Sequence, residues 1–139
     1  MNQTSTFKAP NANSSIVQRL LQAYCLWQNF IKHFEKTSKY SLGIKIDQLL
    51  VEVLELTSAA SFSPKEEKLP YVKRAIIKLD IAKFLVQTAW EINALNEKRL
   101  AALSQPLAEI GRMLGGWHNQ LKKVAEQTKQ TAVPNGKRQ

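Results

Sequence analysis

From Leu100 to Val124 the apolar residues fall at alternating steps of three and four: Leu100, Leu103, Leu107, Ile110, Leu114, Trp117, Leu121 and Val124. That spacing lines all eight along one stripe of an α-helix, the heptad seam by which helices pack in bundles. A strand cannot use the pattern, because its successive side chains turn to opposite faces. A helix with such a seam needs partner helices to cover it. Pro106 lies inside the seam, where a proline costs about 3 kcal/mol and removes a backbone hydrogen bond. A kink is expected there, or a restart capped by Ser104.

Three further segments supply the partners. Ile16, Leu20, Ala23, Trp27, Ile31 and Phe34 share one helical face, with Ser14 or Ser15 as N-cap and the polar run Glu35–Lys39 as its end. Leu42, Ile46, Leu49, Val53, Leu56 and Ala60 form a second stripe, widened by Leu50, Val51 and Leu54. The third helix, from Pro64 or Pro70 to about Leu95, carries two stripes: Val72, Ile76, Leu79, Val86 and Trp90, and then Ile77, Ile81, Phe84, Leu85 and Ile92. One buried stripe suffices for a helix in an isolated bundle. The surplus implies that another subunit covers an outer face. The expected fold is therefore all-α, an antiparallel four-helix bundle over residues 15–126. A polar, disordered leader is expected over 1–14 and a flexible basic tail over 127–139.

Of 139 residues, 20 are Lys or Arg and 11 Asp or Glu, a net charge of +9 that favours an acidic partner: nucleic acid, an anionic surface or an acidic protein. No apolar run is long enough to span a bilayer. Cys25 is the single cysteine, so no internal disulfide forms and a reducing, cytoplasmic setting is expected. Its neighbours Ala23, Tyr24, Leu26 and Trp27 mark it as a buried apolar residue. Candidate contacts to a phosphate or an acidic partner are Lys32, Lys36 and Lys39 around the end of the first helix, and Lys73, Arg74, Lys78 and Lys83 on the third. Lys32 and Lys36 would repel each other one turn apart on a free helix, a cost that a phosphate would remove. Aromatic residues are not interleaved with these cations, so nucleic-acid binding should be electrostatic and weakly sequence-selective.

Residues with catalytic chemistry are sparse. Two histidines, His33 and His118, have no Cys or carboxylate at metal-ligand spacing, and no glycine-rich phosphate loop occurs, so no metal or cofactor is expected. Asp47, Glu52, Glu55 and Glu91 read as surface helix charges. Arg112 and His118, separated by five residues, resemble the Arg-x(4–6)-His motif of HEPN ribonucleases, although Met113 stands where that motif usually has a polar residue.

The stretch Ala108-Glu109-Ile110-Gly111-Arg112-Met113-Leu114-Gly115-Gly116-Trp117 is more telling. Three glycines within six helical residues cost up to about 3 kcal/mol against alanine, which implies that Gly111, Gly115, Gly116 and the adjoining Trp117 serve close helix packing. This stretch closely resembles the accessory variability determinant (Avd) proteins of diversity-generating retroelements. Tyr40-Ser41-Leu42-Gly43 with Ile46, and Leu79-Asp80-Ile81-Ala82-Lys83-Phe84-Leu85, resemble the same family, so the likeness runs from about Leu26 to Lys123. The resemblance implies a four-helix bundle that assembles as a homopentameric barrel. It implies a non-enzymatic role in which a basic surface binds nucleic acid, RNA or DNA, and the reverse transcriptase during mutagenic complementary-DNA synthesis. By position, Lys83 matches a basic residue of the family's third helix and Arg112 the motif arginine, whereas Gln87 stands where a second basic residue is common. Proteins encoded in ribosomal RNA intervening sequences share the fold and remain an alternative, as does a HEPN-like ribonuclease using Arg112 and His118.

Overall fold

A computed structural model describes residues 14–137. Among them are four long helices and no strand: α1 Ser14–Ile31, α2 Ile44–Phe62, α3 Lys68–Glu91 and α4 Glu97–Lys137. Each helix packs on the next, and α4 returns to α1. Cross-contacts fix the directions. Arg19 pairs with Glu109 while Arg99 lies over Phe30, so α1 and α4 run antiparallel. Glu52 reaches Lys78 while the Lys68 ammonium reaches the Ala60 carbonyl, so α2 and α3 do too. The expected antiparallel four-helix bundle is what the chain forms. Of the leader expected over 1–14, residues 1–13 lie outside the described residues and Ser14 opens α1; α4 is helical from Gln127 to Lys137, within the span expected as a tail.

The α4 seam forms the spine of the core: Leu103, Leu107, Ile110, Leu114, Trp117 and Leu121 are all buried. Pro106 neither ends nor restarts α4, which is assigned as one helix across it. On α3 the buried row is Val72, Ala75, Leu79, Ala82, Val86 and Ala89, a strict three-four repeat with alanine at every second place. Small residues there let α3 lie close to its neighbours. Of the sequence's first α3 stripe, Ile76 and Trp90 are only half-buried. Pro70 is the third residue of α3, where the backbone N–H would have had no helical acceptor, so it needs no bend.

Local chemistry sets the junctions. A π-helical segment, Lys39–Gly43, feeds α2 and brings the Gly43 backbone against α1's end. A Cβ at Gly43 would sit 3.1 Å from Ile31 Cδ1 and 3.6 Å from Phe34, so the Ile31 side chain would have to give by a few tenths of an ångström to admit one. Phe34 lies just past α1 yet is buried, its ring edge-on to Trp27 at 5.5 Å. At the end of α3, Asn93 has φ 65°. The Asn93 N–H donates to Trp90 O and the Ala94 N–H to Ala89 O, the two bonds of a Schellman cap. Asn96 Oδ1 then accepts the Arg99 N–H at 2.8 Å and starts α4.

One polar hub ties α1 to α2. Asp47 Oδ1 accepts from Tyr24 Oη at 2.8 Å, from Trp27 Nε1 at 3.0 Å and from Gln28 Nε2 at 2.8 Å. Burial raises the Tyr24 phenol above its ordinary value, and the hydrogen bond and negative charge of Asp47 push the same way. A phenol whose folded pKa is raised keeps its proton in the folded state after the unfolded chain has lost it. Its contribution is thus fully present below about pH 10 and lost as pH rises through the folded value. Denaturant midpoints measured from pH 8 to 11 should fall at the alkaline end. The fall should be shallower in Tyr24→Phe; equal slopes would show that Tyr24 is not coupled to Asp47.

Cys25 departs from expectation. It is exposed, because two residues beyond Ala23 lie about 200° round the helix, on the face opposite the buried row.

Candidate functional site

The basic residues singled out in the sequence do not form one face. Lys73 and Arg74 are exposed in the first turns of α3. Lys78 leans toward α2, its ammonium 3.2 Å from Glu52. Five residues on, and therefore about 140° round the helix, Lys83 leans toward α4, with Asp80 at 3.6 Å. Arg74 and Lys78 line a groove of ≈ 320 Å³ with Glu52, Glu55, Leu56 and Ala59, so this stretch of surface carries both signs of charge. Lys68 is engaged structurally, donating to the Ala60 and Ser61 carbonyls at the end of α2.

At the opposite end of the bundle lie Lys32, Lys36 and Lys39, all exposed. Lys32 falls just after α1, Lys36 opens a separate short turn and Lys39 opens the π segment. The expected one-turn repulsion between Lys32 and Lys36 on a single helix therefore does not arise. Arg112 is exposed on α4, outside the ion pairs of the described residues. Its sixth neighbour His118 is half-buried and points about 120° away, about 9 Å along the axis. Within one chain the Arg-His pair does not converge.

The glycines divide by function. Gly111 faces α3: a Cβ there would meet Lys83 Nζ at 3.5 Å and Leu79 Cδ2 at 3.6 Å, ordinary contact distances. At Gly115 and Gly116 a Cβ would meet nothing within 4 Å. The close packing expected at these two is not made within one chain; the intrachain glycine that a side chain would disturb is Gly43. Trp117 is buried in the seam.

The second α3 stripe is left uncovered except at Leu85, which packs against the core. Ile77 is 50% exposed, Ile81 42%, Phe84 69% and Ile92 52%. Steps of four and three put Ile77, Ile81 and Phe84 in one row, opposite the buried alanines, and Lys73 continues it one turn earlier. No group of His, Cys and carboxylates able to hold a metal ion occurs among the described residues, and none of the described helices is long and apolar enough to cross a membrane.

A family model described as bAvd-like matches residues 15–121, from the second residue of α1 through α3 and the buried half of α4. The chain belongs to the bAvd-like family. No curated protein and no solved structure matches it. In this bAvd-like chain two of the family-resembling motifs meet: Leu79 and Lys83 of α3 lie against Gly111 of α4. The third, Tyr40–Gly43, is the π segment closed on α1. Family membership supports an accessory rather than a catalytic role at the family level.

Three features of this bAvd-like chain escaped the sequence reading. The Asp47 hub joins residues 19 to 23 positions apart, and a carboxylate beside apolar helix positions gives no local signal of it. Asn96 as the α4 cap was signalled by an Asn just before a helical run. The pairing of Arg99 with Phe30, guanidinium carbon 6.0 Å from the ring centroid, joins the two ends of the chain's helical order and had no local signal.

Proposed function

We propose that the chain is the non-enzymatic accessory protein of a diversity-generating retroelement. In this reading it is a cytoplasmic homo-oligomer, most simply the pentamer of its family, that binds the element's reverse transcriptase and nucleic acid to support mutagenic complementary-DNA synthesis. The observation that carries the reading is the bAvd-like match across residues 15–121. The +9 charge supplies attraction for phosphate, and the exposed apolar row of α3 supplies a surface for a second copy. Neither requires a metal or cofactor.

Nucleic-acid binding is testable with purified protein. Anisotropy of labelled RNA and DNA should report affinity that falls steeply with salt, the slope counting the phosphates contacted. Replacing Lys73 and Arg74 together by glutamate, or Lys83 by glutamine, should weaken binding by roughly ten-fold or more and lower that slope. Circular dichroism should be unchanged. Salt-insensitive binding, or none at low salt, would remove nucleic acid from the proposal. The same preparation should leave generic RNA intact; cleavage that disappears in His118→Ala would instead establish the HEPN-like ribonuclease reading. A gene lying within a ribosomal RNA intervening sequence, with no reverse transcriptase beside it, would reassign the chain to that group.

A further inference from the structure

We infer that the corner where the end of α1 meets the start of α4 holds an unpaired nucleotide of a single strand, an inference that rests on the nucleic-acid role proposed above. A groove of ≈ 210 Å³ opens there, lined by Phe30, Asn96, Lys98, Arg99 and Ala102. Its chemistry is that of a stacking site flanked by cations. Phe30 is half-buried, and the Arg99 guanidinium lies over its ring, 6.0 Å to the centroid. The Asn96 side chain holds the Arg99 backbone N–H at 2.8 Å, which fixes the first turn of α4 that carries the guanidinium. The phenyl ring and the guanidinium beside it each offer a planar face to a nucleobase, as guanidinium planes and aromatic rings do in proteins that bind unpaired bases.

Phosphate contacts are at hand on both sides. Lys98 lines the groove itself. On the α1 side the His33 N–H donates to Phe30 O at 3.0 Å, folding Lys32 and His33 into the turn beside the ring. None of Lys32, Lys98 and Arg99 has a carboxylate partner among the described residues. Two acidic residues share these turns. Glu97 is set about 100° round α4 from Lys98 and about 200° from Arg99, away from the groove. Glu35 follows the buried Phe34, beyond the turn. A cavity of this size admits one flat group and not a base pair, whose faces are already stacked within its duplex. Stacking tolerates any base, which agrees with weak sequence selectivity. Phe30 and Arg99 are 69 positions apart, so the interleaving of aromatic and basic groups missing from the sequence is supplied by the fold.

The test compares a short labelled single strand, as RNA and as DNA, with the duplex of the same sequence, by anisotropy at fixed low salt. Arg99→Lys keeps the charge and removes the plane; Phe30→Leu keeps the apolar filling and removes the ring. Either change should weaken single-strand binding by roughly five-fold or more, with duplex affinity moved less than two-fold and the thermal midpoint of Arg99→Lys unaltered. A fluorescent adenine analogue in the strand should be quenched by wild type and not by Arg99→Lys. RNA and DNA responding alike supports capture through base and phosphate; a loss confined to RNA supports the same site with an added sugar contact. If single strand and duplex weaken equally, or neither weakens, the corner is not a nucleotide site. Wild type that binds no nucleic acid would overturn the proposed function as well, whereas binding lost only in the Lys73 and Arg74 variant would overturn this inference and leave that function standing.

Discussion

Replacing Asp47 with alanine should destabilise the protein by about 2–4 kcal/mol, the cost of removing a charged acceptor from several donors at once. Asp47 Oδ1 takes hydrogen bonds from Tyr24, Trp27 and Gln28, and these donors differ in what they lose. Gln28 is exposed and Tyr24 half-buried, so water replaces much of their bond. Trp27 is 0% exposed, and its indole N–H would be left in the core without an acceptor. That orphan alone costs about 1–3 kcal/mol, and lost attachment of α1 to α2 adds to it. Asp47→Asn keeps an acceptor oxygen without the charge and should lose about half as much. Urea unfolding followed by far-ultraviolet circular dichroism gives the comparison. An alanine variant within 0.5 kcal/mol of wild type would mean that the hub does not hold α1 in place.

The second large effect concerns assembly. Wild-type protein should scatter light as a multiple of its 15.8 kDa chain, and Ile81→Glu with Phe84→Glu should reduce it to that single mass. Each large apolar side chain buried in an interface contributes about 1.5–3 kcal/mol. Two removed from every contact, with carboxylates in their place, should weaken association by more than about a thousand-fold. Ile81 and Phe84 are outside the core of one chain, so helicity and the unfolding midpoint of the monomer should change little. A monomeric wild type at micromolar concentration, or a double variant of unchanged mass, would contradict the proposal that this row joins subunits.

The two halves of α3 explain how far the sequence could be read. In α4 every core position was legible, because large side chains repeat without a gap and nothing on the other faces competes with them. In α3 the residues that mark a core by size, Ile77, Ile81 and Phe84, face outward, while the core uses Ala75, Ala82 and Ala89. Alanine is only weakly apolar, so periodicity weighted by size found two stripes and could not say which was inside. That ambiguity was itself informative, since it pointed to the uncovered face. Gly115 and Gly116 were legible as costly helix positions and not as particular contacts. A glycine pair in a helix costs stability wherever it lies, but sequence does not say whether the approaching group belongs to the same chain. The candidate cations were legible as types and not as a place: helix geometry alone sends Lys78 and Lys83 to opposite neighbours, and the turn after Ile31 separates Lys32 from Lys36. Contacts between distant segments, such as Asp47 with Trp27 or Arg99 with Phe30, depend on how helices are docked, which no window of sequence contains.

A chain that serves a reverse transcriptase should form a stable complex with it. Co-expression with a retroelement reverse transcriptase from the same genome, followed by size-exclusion chromatography with light scattering, reports that complex. One peak containing both proteins is expected, with several copies of this chain per enzyme, and loss of the enzyme from that peak when Lys73, Arg74 and Lys83 are neutralised together. A reverse transcriptase that elutes apart from the wild-type chain, with or without template RNA present, would contradict that role.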